Sequence, residues 1–287
     1  MVLGESLVRA HFYLLSQQVH EELLMRIRPM QFLCIVAVAT SAAAAFAQNP
    51  FLGTWKMNNE KSHLTGDVIE FSPAPGGAIK HTAEGRSYTF KTDGKEYTGS
   101  TGAQFVWKMT DANNYERSAA RNGVPLGTTT YKISSDGKTL VTETTGNSPS
   151  GKSFDDTTTY TRVAGTKGLM GSWKDTDVKM KEDQVMVWKA GPTADSMRWE
   201  LPDLKAYVDI TFDGKEYTPV GPTVPKGLTL SLTKTGPHSL AMVEKLNGKV
   251  LEKSSYKLSP DGKTLTEVEA PPDGKAPETI IYEKQST

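Results

Sequence analysis

Residues 146–153, GNSPSGKS, have the residue types and spacing of a phosphate-binding loop, with four residues between a glycine and a Gly-Lys-Ser triplet. That chemistry requires a strand before the loop and a helix after it, so that backbone amides point at the phosphates. The residues that follow, 154–160, have the composition of a strand and carry two carboxylates where phosphate would lie. The sequence therefore predicts a hairpin at this position, with no nucleotide site.

Other catalytic arrangements are missing from the sequence after residue 47. Its histidines are His63, His81 and His238, and no two of them have the spacing of metal ligands. There is no Gly-x-Ser-x-Gly motif and no cysteine that could act as a nucleophile. Asp175 and Asp177 lack the third acidic position and the glycine of a calcium loop. We therefore expect a protein that is not an enzyme and that needs no metal or cofactor.

The remaining candidates for function are aromatic and polar side chains on strand-like segments, since such residues fix a ligand inside an otherwise apolar lumen. The candidate ligand-binding residues are Trp107, Arg117, Trp188, Arg198 and Trp199. For each of them, core packing or a solvated surface position is the alternative interpretation.

These candidates need a scaffold of strands, and alternation of apolar and polar residues indicates one. Phe105, Trp107 and Met109 share one face and Gln104 and Lys108 the other, and residues 206–212 and 228–233 alternate between apolar and polar types. Asp-Gly and Asn-Gly pairs separate the segments and suit tight hairpin turns. We predict an all-β fold of antiparallel, up-and-down strands, eight to ten per unit, closed into a barrel. A flattened two-sheet sandwich is the alternative.

The chain contains two copies of one unit. FLGTWK at 51–56, TDGKEYT at 92–98 and YKISSDGKTL at 131–140 return as LMGSWK at 169–174, FDGKEYT at 212–218 and YKLSPDGKTL at 256–265. The matching positions are offset by 118 to 125 residues, which indicates a tandem duplication. We predict one barrel over 48–163, a linker over 164–168 and a second barrel over 169–287. Because the linker is short, the two units should be close neighbours.

The repeated Gly-x-Trp at the start of each unit resembles the opening motif of the calycins, the superfamily of lipocalins and fatty-acid-binding proteins, in a bacterial lipocalin-like form. The resemblance implies that each tryptophan lies across the closed end of a barrel, covered by a basic residue of the last strand. It pairs Trp55 with Arg162 and Trp173 with Lys284. The Arg-x-Tyr carboxylate site of the fatty-acid-binding branch is absent, since Thr158 and Ile280 precede the terminal tyrosines.

Composition and the N-terminal segment bear on the compartment. Lys plus Arg and Asp plus Glu each total 33, which argues against a nucleic-acid role. Residues 25–47 have the layout of a signal peptide, with an arginine-bearing start, a short apolar run that contains Cys34 and an Ala-Phe-Ala cleavage site. We interpret residues 1–24 as lying upstream of the true start at Met25, with a short amphipathic helix as the alternative. A membrane anchor is the alternative to the signal.

The sequence thus predicts a periplasmic or secreted, non-enzymatic binding protein, with no stable membrane span after signal cleavage. Each of its two calycin-like barrels would enclose a small lipophilic molecule, and no nucleotide or nucleic acid would bind. The alternative is an envelope scaffold or protein-interaction module with filled barrels, since small closed barrels either hold one ligand or fill with side chains.

Overall fold

The computed structural model describes residues 49–83, 86–182, 184–270 and 277–286. Residues 1–47, with the predicted signal peptide and the segment before it, lie outside the described residues. Within the described ranges the chain forms nineteen β-strands, a short 3-10 turn at Pro75–Gly77 and no α-helix. No helix in these ranges has the length and apolar character needed to cross a membrane.

The first barrel is one continuous piece of chain. Its ten strands are β2 (Val68–Ala74), β3 (Ala78–Ala83), β4 (Arg86–Phe90), β5 (Asp93–Thr98), β6 (Gln104–Met109), β7 (Asn114–Arg121), β8 (Val124–Ile133), β9 (Thr139–Asn147), β10 (Ser153–Ala164) and β11 (Gly171–Met180). The strands are antiparallel in the order β4-β3-β2-β11-β10-β9-β8-β7-β6-β5. Neighbouring strands in this sheet are consecutive in sequence except β2 and β11, which pair with each other.

The second barrel combines the start of the described chain with its last third. Its nine strands are β1 (Gly53–Met57), β12 (Val185–Ala190), β13 (Ser196–Leu201), β14 (Ala206–Thr211), β15 (Leu228–Gly236), β16 (Ser239–Leu246), β17 (Lys249–Leu258), β18 (Thr264–Ala270) and β19 (Glu278–Lys284). Their order is β14-β13-β12-β1-β19-β18-β17-β16-β15. The predicted all-β fold with two antiparallel barrels of eight to ten strands is therefore confirmed.

Both barrels are nearly closed. In the second barrel the segment between β14 and β15 bridges the gap, with Val220 paired to Tyr207 and Tyr217 paired to Leu230. In the first barrel the corresponding seam lies between β4 and β5, and the repeated DGKEYT segment forms β5 itself. Alternation along the strands sends one set of side chains into each barrel, where aromatic and aliphatic residues form two separate cores.

The first strand of each sequence unit lies in the barrel of the other unit. Strand β1 pairs with β12 and β19, whereas β11 pairs with β10 and β2. The predicted boundaries, 48–163 and 169–287, therefore describe the sequence repeat but not the barrels. The predicted linker, 164–168, instead connects two neighbouring strands of the first barrel.

The tryptophan–cation pairs change partners as a result, and the predicted pairing was wrong. Lys284 is directly opposite Trp55 in the β1–β19 register, with its Nζ 5.1 Å from the indole centroid. Arg162 is opposite Trp173, with its guanidinium carbon 3.8 Å from that indole centroid. The physical reason is the strand exchange, since it places each Gly-x-Trp strand beside the last strand of the other repeat.

Candidate functional site

The interior of the first barrel is filled at the positions of the predicted ligand residues. Trp107 is fully buried, stacks on Phe90 at a centroid distance of 4.2 Å and donates from Nε1 to the Tyr88 hydroxyl at 3.0 Å. Arg117, 1% exposed, donates to Thr129 Oγ1 at 3.3 Å, and its guanidinium carbon lies 5.7 Å from the Trp107 ring centroid. The two residues meet, but as parts of a packed core.

The second barrel brings Trp188 and Trp199 together in the same way. Their ring centroids lie 5.7 Å apart in an edge-to-face arrangement, and both rings also contact Tyr256. The cavity beside Trp199, Tyr256 and Glu267 measures only about 20 Å³. That is room for about one water molecule and far below the volume of an organic ligand.

Arg198 does not face a lumen, in contrast to its predicted role. It lies on the outside of the second barrel, where Nε and Nη2 donate to the two carboxylate oxygens of Asp209 at 2.7 and 2.6 Å. Its guanidinium also stacks over Tyr207 at 4.3 Å. Successive residues of a strand face opposite sides, so the inward position of Trp199 places Arg198 outside.

The other motifs singled out from the sequence have structural positions. Residues 148–152 form the turn of the β9–β10 hairpin, and the strand β10 follows them, as predicted for the GNSPSGKS segment. Lys152 of this segment pairs with Glu182 and Asp203. His81 is fully buried against Phe71 and Tyr88, and no metal-binding group is found among the described residues.

A larger pocket, of about 380 Å³, lies at the junction of the two barrels. We call it the junction pocket. Its lining comes from turns of both barrels and consists of Gly99, Ser100, Thr101, Gly102, Arg121, Asn122, Pro225, Lys226, Leu246 and Asn247. Two of these residues are cationic, and no described residue of the lining carries a carboxylate, imidazole or thiol group.

The junction pocket is built from equivalent parts of the two repeats. The Asn122-Gly123 and Asn247-Gly248 turns occupy matching sequence positions, and both asparagines adopt a left-handed conformation with φ of 52° and 51°. Such φ values suit Asn-Gly hairpin turns. The residues just before the turns, Arg121 and Leu246, are therefore equivalent in sequence but opposite in character. The pocket places one cationic and one apolar member of the pair in a single site.

Arg121 is held rigidly at this site. It is 4% exposed, donates from Nη1 to the Thr223 carbonyl at 3.1 Å and from Nη2 to Thr101 Oγ1 at 3.1 Å. Its Nε is buried without a hydrogen-bond partner in the described part of the chain. Burial, together with the positive charge of Arg86, lowers the pKa of Arg121 to about 10. The negative charge of Glu244 acts in the opposite direction and raises this pKa. The group therefore stays charged at neutral pH.

Arg121 forms no ion pair with a described carboxylate, although the negative charge of Glu244 acts on it. A buried charge without a paired counter-charge is costly, and such groups are concentrated at functional sites. Sequence reasoning missed Arg121 and Lys226, since it looked for residues inside the barrels. The signal that could have found Arg121 is the repeat itself, because a charged residue replaces the leucine of the other copy.

No protein-family model matches the chain, and neither does any curated protein or solved structure in the comparisons.

Proposed function

We propose that the protein is an exported, non-enzymatic binding protein whose two calycin-like barrels act as a frame, with a small-molecule site in the junction pocket. The single observation that carries this proposal is the junction pocket itself, since it joins suitable volume to a buried, fixed cation. At about 380 Å³ it falls within the usual range of small-molecule sites.

The packing inside the barrels supports a site outside them. Four of the five predicted ligand residues are core residues, and the cavity in the second barrel has room for about one water molecule. The filled barrels of the second interpretation, an envelope scaffold or protein-interaction module, therefore fit the geometry better than lumens occupied by lipophilic molecules, and we place the small-molecule site between the barrels.

Contacts across the junction support a preorganised site. Arg121 and Asn122 of the first barrel donate to the carbonyls of Thr223, Pro222 and Val224 in the second. The exchanged strands add a second connection, because each barrel needs a strand from the other repeat. A site fixed before its ligand arrives loses less conformational entropy on binding.

Two further parts of the proposal rest on the sequence. Residues 25–47 support export to the periplasm or beyond, and the Gly-x-Trp motifs support a calycin-like origin of the barrels. The chemistry of the pocket lining supports binding without catalysis, because its described residues offer no carboxylate, imidazole or thiol for proton transfer or nucleophilic attack.

The proposal is tested by native mass spectrometry of the protein purified from its own host. The expected result is a retained small molecule in the wild-type protein and its loss in Ser100→Trp, where the indole would fill the junction pocket. Ser100 is exposed and lies on the turn after β5, so the substitution should leave both barrels folded. The matched control is Thr166→Trp, an equally exposed position outside the pocket, which should keep the molecule.

Two results would contradict the proposal. The first is a small molecule retained equally by Ser100→Trp and by the wild-type protein, which would place the site elsewhere. The second is wild-type protein that carries no small molecule, or only a bound protein chain, which would favour the scaffold interpretation.

A further inference from the structure

Building on the proposed function, we infer that the junction pocket binds a small monocarboxylate with a short apolar body. The inference rests on the two residues at which the repeats differ, Arg121 and Leu246. One supplies a buried positive charge and the other a buried apolar side chain, and both line the same pocket.

The positive wall of the pocket selects an anion. Arg121 lies deep in the wall, and the exposed Lys226 adds a second cation at its edge. Asn247, Ser100 and Thr101 supply further side-chain donors around them. Within the described lining no carboxylate competes for these donors, so an anionic ligand would supply an acceptor that the lining lacks.

The apolar wall of the pocket selects against a fully hydrated anion. Leu246 and Pro225 also line the pocket, and both are buried. Leu246 packs in a cluster with Leu228, Val224 and Leu251, so only its remaining exposed edge can meet a ligand. A ligand with an alkyl or small ring body would cover that edge, which is favourable by roughly 25 cal/mol per Å² of apolar surface, whereas inorganic phosphate offers no apolar contact.

The contacts of Arg121 favour a single negative charge. Its Nη1 and Nη2 each already donate one hydrogen bond, to Thr223 and Thr101, so only part of its donor capacity remains for a ligand. Lys226 is solvated and contributes a screened charge. A monocarboxylate needs fewer charged donors than a phosphate dianion and therefore matches this set better.

The test is isothermal titration of the full chain with hexanoate, with 1-hexanol and with inorganic phosphate. We expect hexanoate to bind at least about 10-fold more tightly than either of the others, because only hexanoate uses both walls. Equal binding of hexanol would show that charge is not used. Tighter binding of phosphate would show that the apolar wall is not used, and either result would overturn the inference.

The variants assign the charge to its residue. Arg121→Leu installs the residue of the other repeat, and we expect it to weaken hexanoate binding by at least about 30-fold. Lys226→Gln should weaken it by about 3-fold, since an exposed cation contributes less. Lys234→Gln, an exposed lysine farther along β15, is the control and should bind like the wild-type protein.

Unchanged hexanoate binding in both Arg121→Leu and Lys226→Gln would overturn the inference. Lys226 is exposed and makes no hydrogen bond within the described residues, so its variant remains informative if Arg121→Leu does not fold. A neutral molecule that is retained by the wild-type protein and lost in Ser100→Trp would overturn this inference while leaving the proposed function intact. Hexanoate binding that Ser100→Trp does not weaken would contradict both.

Discussion

At the scale of single residues, the second barrel holds an acidic group in its core. Glu267 is 2% exposed and accepts a hydrogen bond at Oε2 from the Tyr282 hydroxyl at 3.0 Å. Burial raises the pKa of Glu267 to about 7. Hydrogen bonds donated by its neighbours favour the charged form and act in the opposite direction. The carboxyl group is therefore protonated in the folded protein at mildly acidic pH.

We predict that stability falls as pH rises through this range. The pKa of Glu267 is higher in the folded state than its ordinary value of 4.5. The stability that this group contributes is therefore fully present below about pH 4.5 and is lost as pH rises through about 7. The free energy of unfolding of the wild-type protein should fall by on the order of 2–3 kcal/mol over that window, and Glu267→Gln should abolish this decrease. Urea unfolding at a series of pH values measures this.

The control for this experiment is Glu96→Gln, which makes the same substitution at an exposed position on β5. Asp156, whose pKa burial raises to about 6, acts in the same direction and should leave a smaller slope in the Glu267→Gln variant. A variant whose stability declines as steeply as that of the wild-type protein would refute the assignment.

Residue types indicated burial well but did not identify a ligand site. The tryptophans and Arg117 are inside the barrels, where strand alternation places them. Applied strictly, the same alternation would have excluded Arg198, since it is adjacent to the inward-facing Trp199. Whether an inward side chain packs or binds depends on the barrel's diameter and on the side chains opposite, which no single segment of sequence specifies.

At the scale of elements, the Gly-x-Trp strands are fixed by glycine as well as by tryptophan. Gly171 has a φ of 130°, and a Cβ at this position would overlap the carbonyl oxygen of Ala164. Gly53 is its equivalent, with a φ of 143°. Arg162, which donates to the carbonyls of Met170 and Gly168 at 2.6 Å, closes the same corner of the first barrel. Close approach of the last strand therefore requires a glycine here.

We predict that Gly171→Ala destabilises the protein by about 3 kcal/mol, as the sum of backbone strain and steric overlap. Gly66→Ala is the matched control, because its φ of 125° is similar and no atom would lie within 4 Å of the methyl group that an alanine adds there. It should cost about 1 kcal/mol through backbone strain alone. Urea unfolding of both variants gives the comparison, and equal losses would show that the close approach contributes nothing.

The exchange of first strands was not predicted, although the sequence contained a signal for it. The two Gly-x-Trp segments are nearly identical, so neither their composition nor their spacing determines which barrel each strand joins. The length of chain between neighbouring strands determines it. Only residues 165–170 separate β10 from β11, and strands joined by a short loop pair as a hairpin. With β11 beside β10, β1 takes the equivalent place in the second barrel.

At the scale of the whole molecule, the exchange joins two barrels into one unit. Each Gly-x-Trp strand fills a gap in the barrel formed by the other repeat, so neither barrel is complete without both halves of the chain. The junction pocket depends on this, since its turns come from both barrels and must keep a fixed separation. The site that we propose is therefore a property of the pair of barrels and could not be found in either repeat alone.

Disulfide trapping tests the exchange most directly. The chain's only cysteine, Cys34, lies within the predicted signal segment, so a protein starting at residue 48 has a cysteine-free background. Lys56 is directly opposite Glu283 in the β1–β19 register. We predict that Lys56→Cys with Glu283→Cys forms an intramolecular disulfide under mild oxidation, because directly opposed residues of antiparallel strands have Cα atoms about 4.5–5.5 Å apart, which a disulfide can span.

The matched control is Lys56→Cys with Thr161→Cys. Thr161 is opposite Lys174, the repeat equivalent of Lys56, and would face Lys56 only if each repeat closed its own barrel. Mass analysis of the non-reduced monomer separates the two arrangements. Our account predicts complete cross-linking of the 56–283 pair and none of the 56–161 pair, whereas the reverse pattern would contradict it.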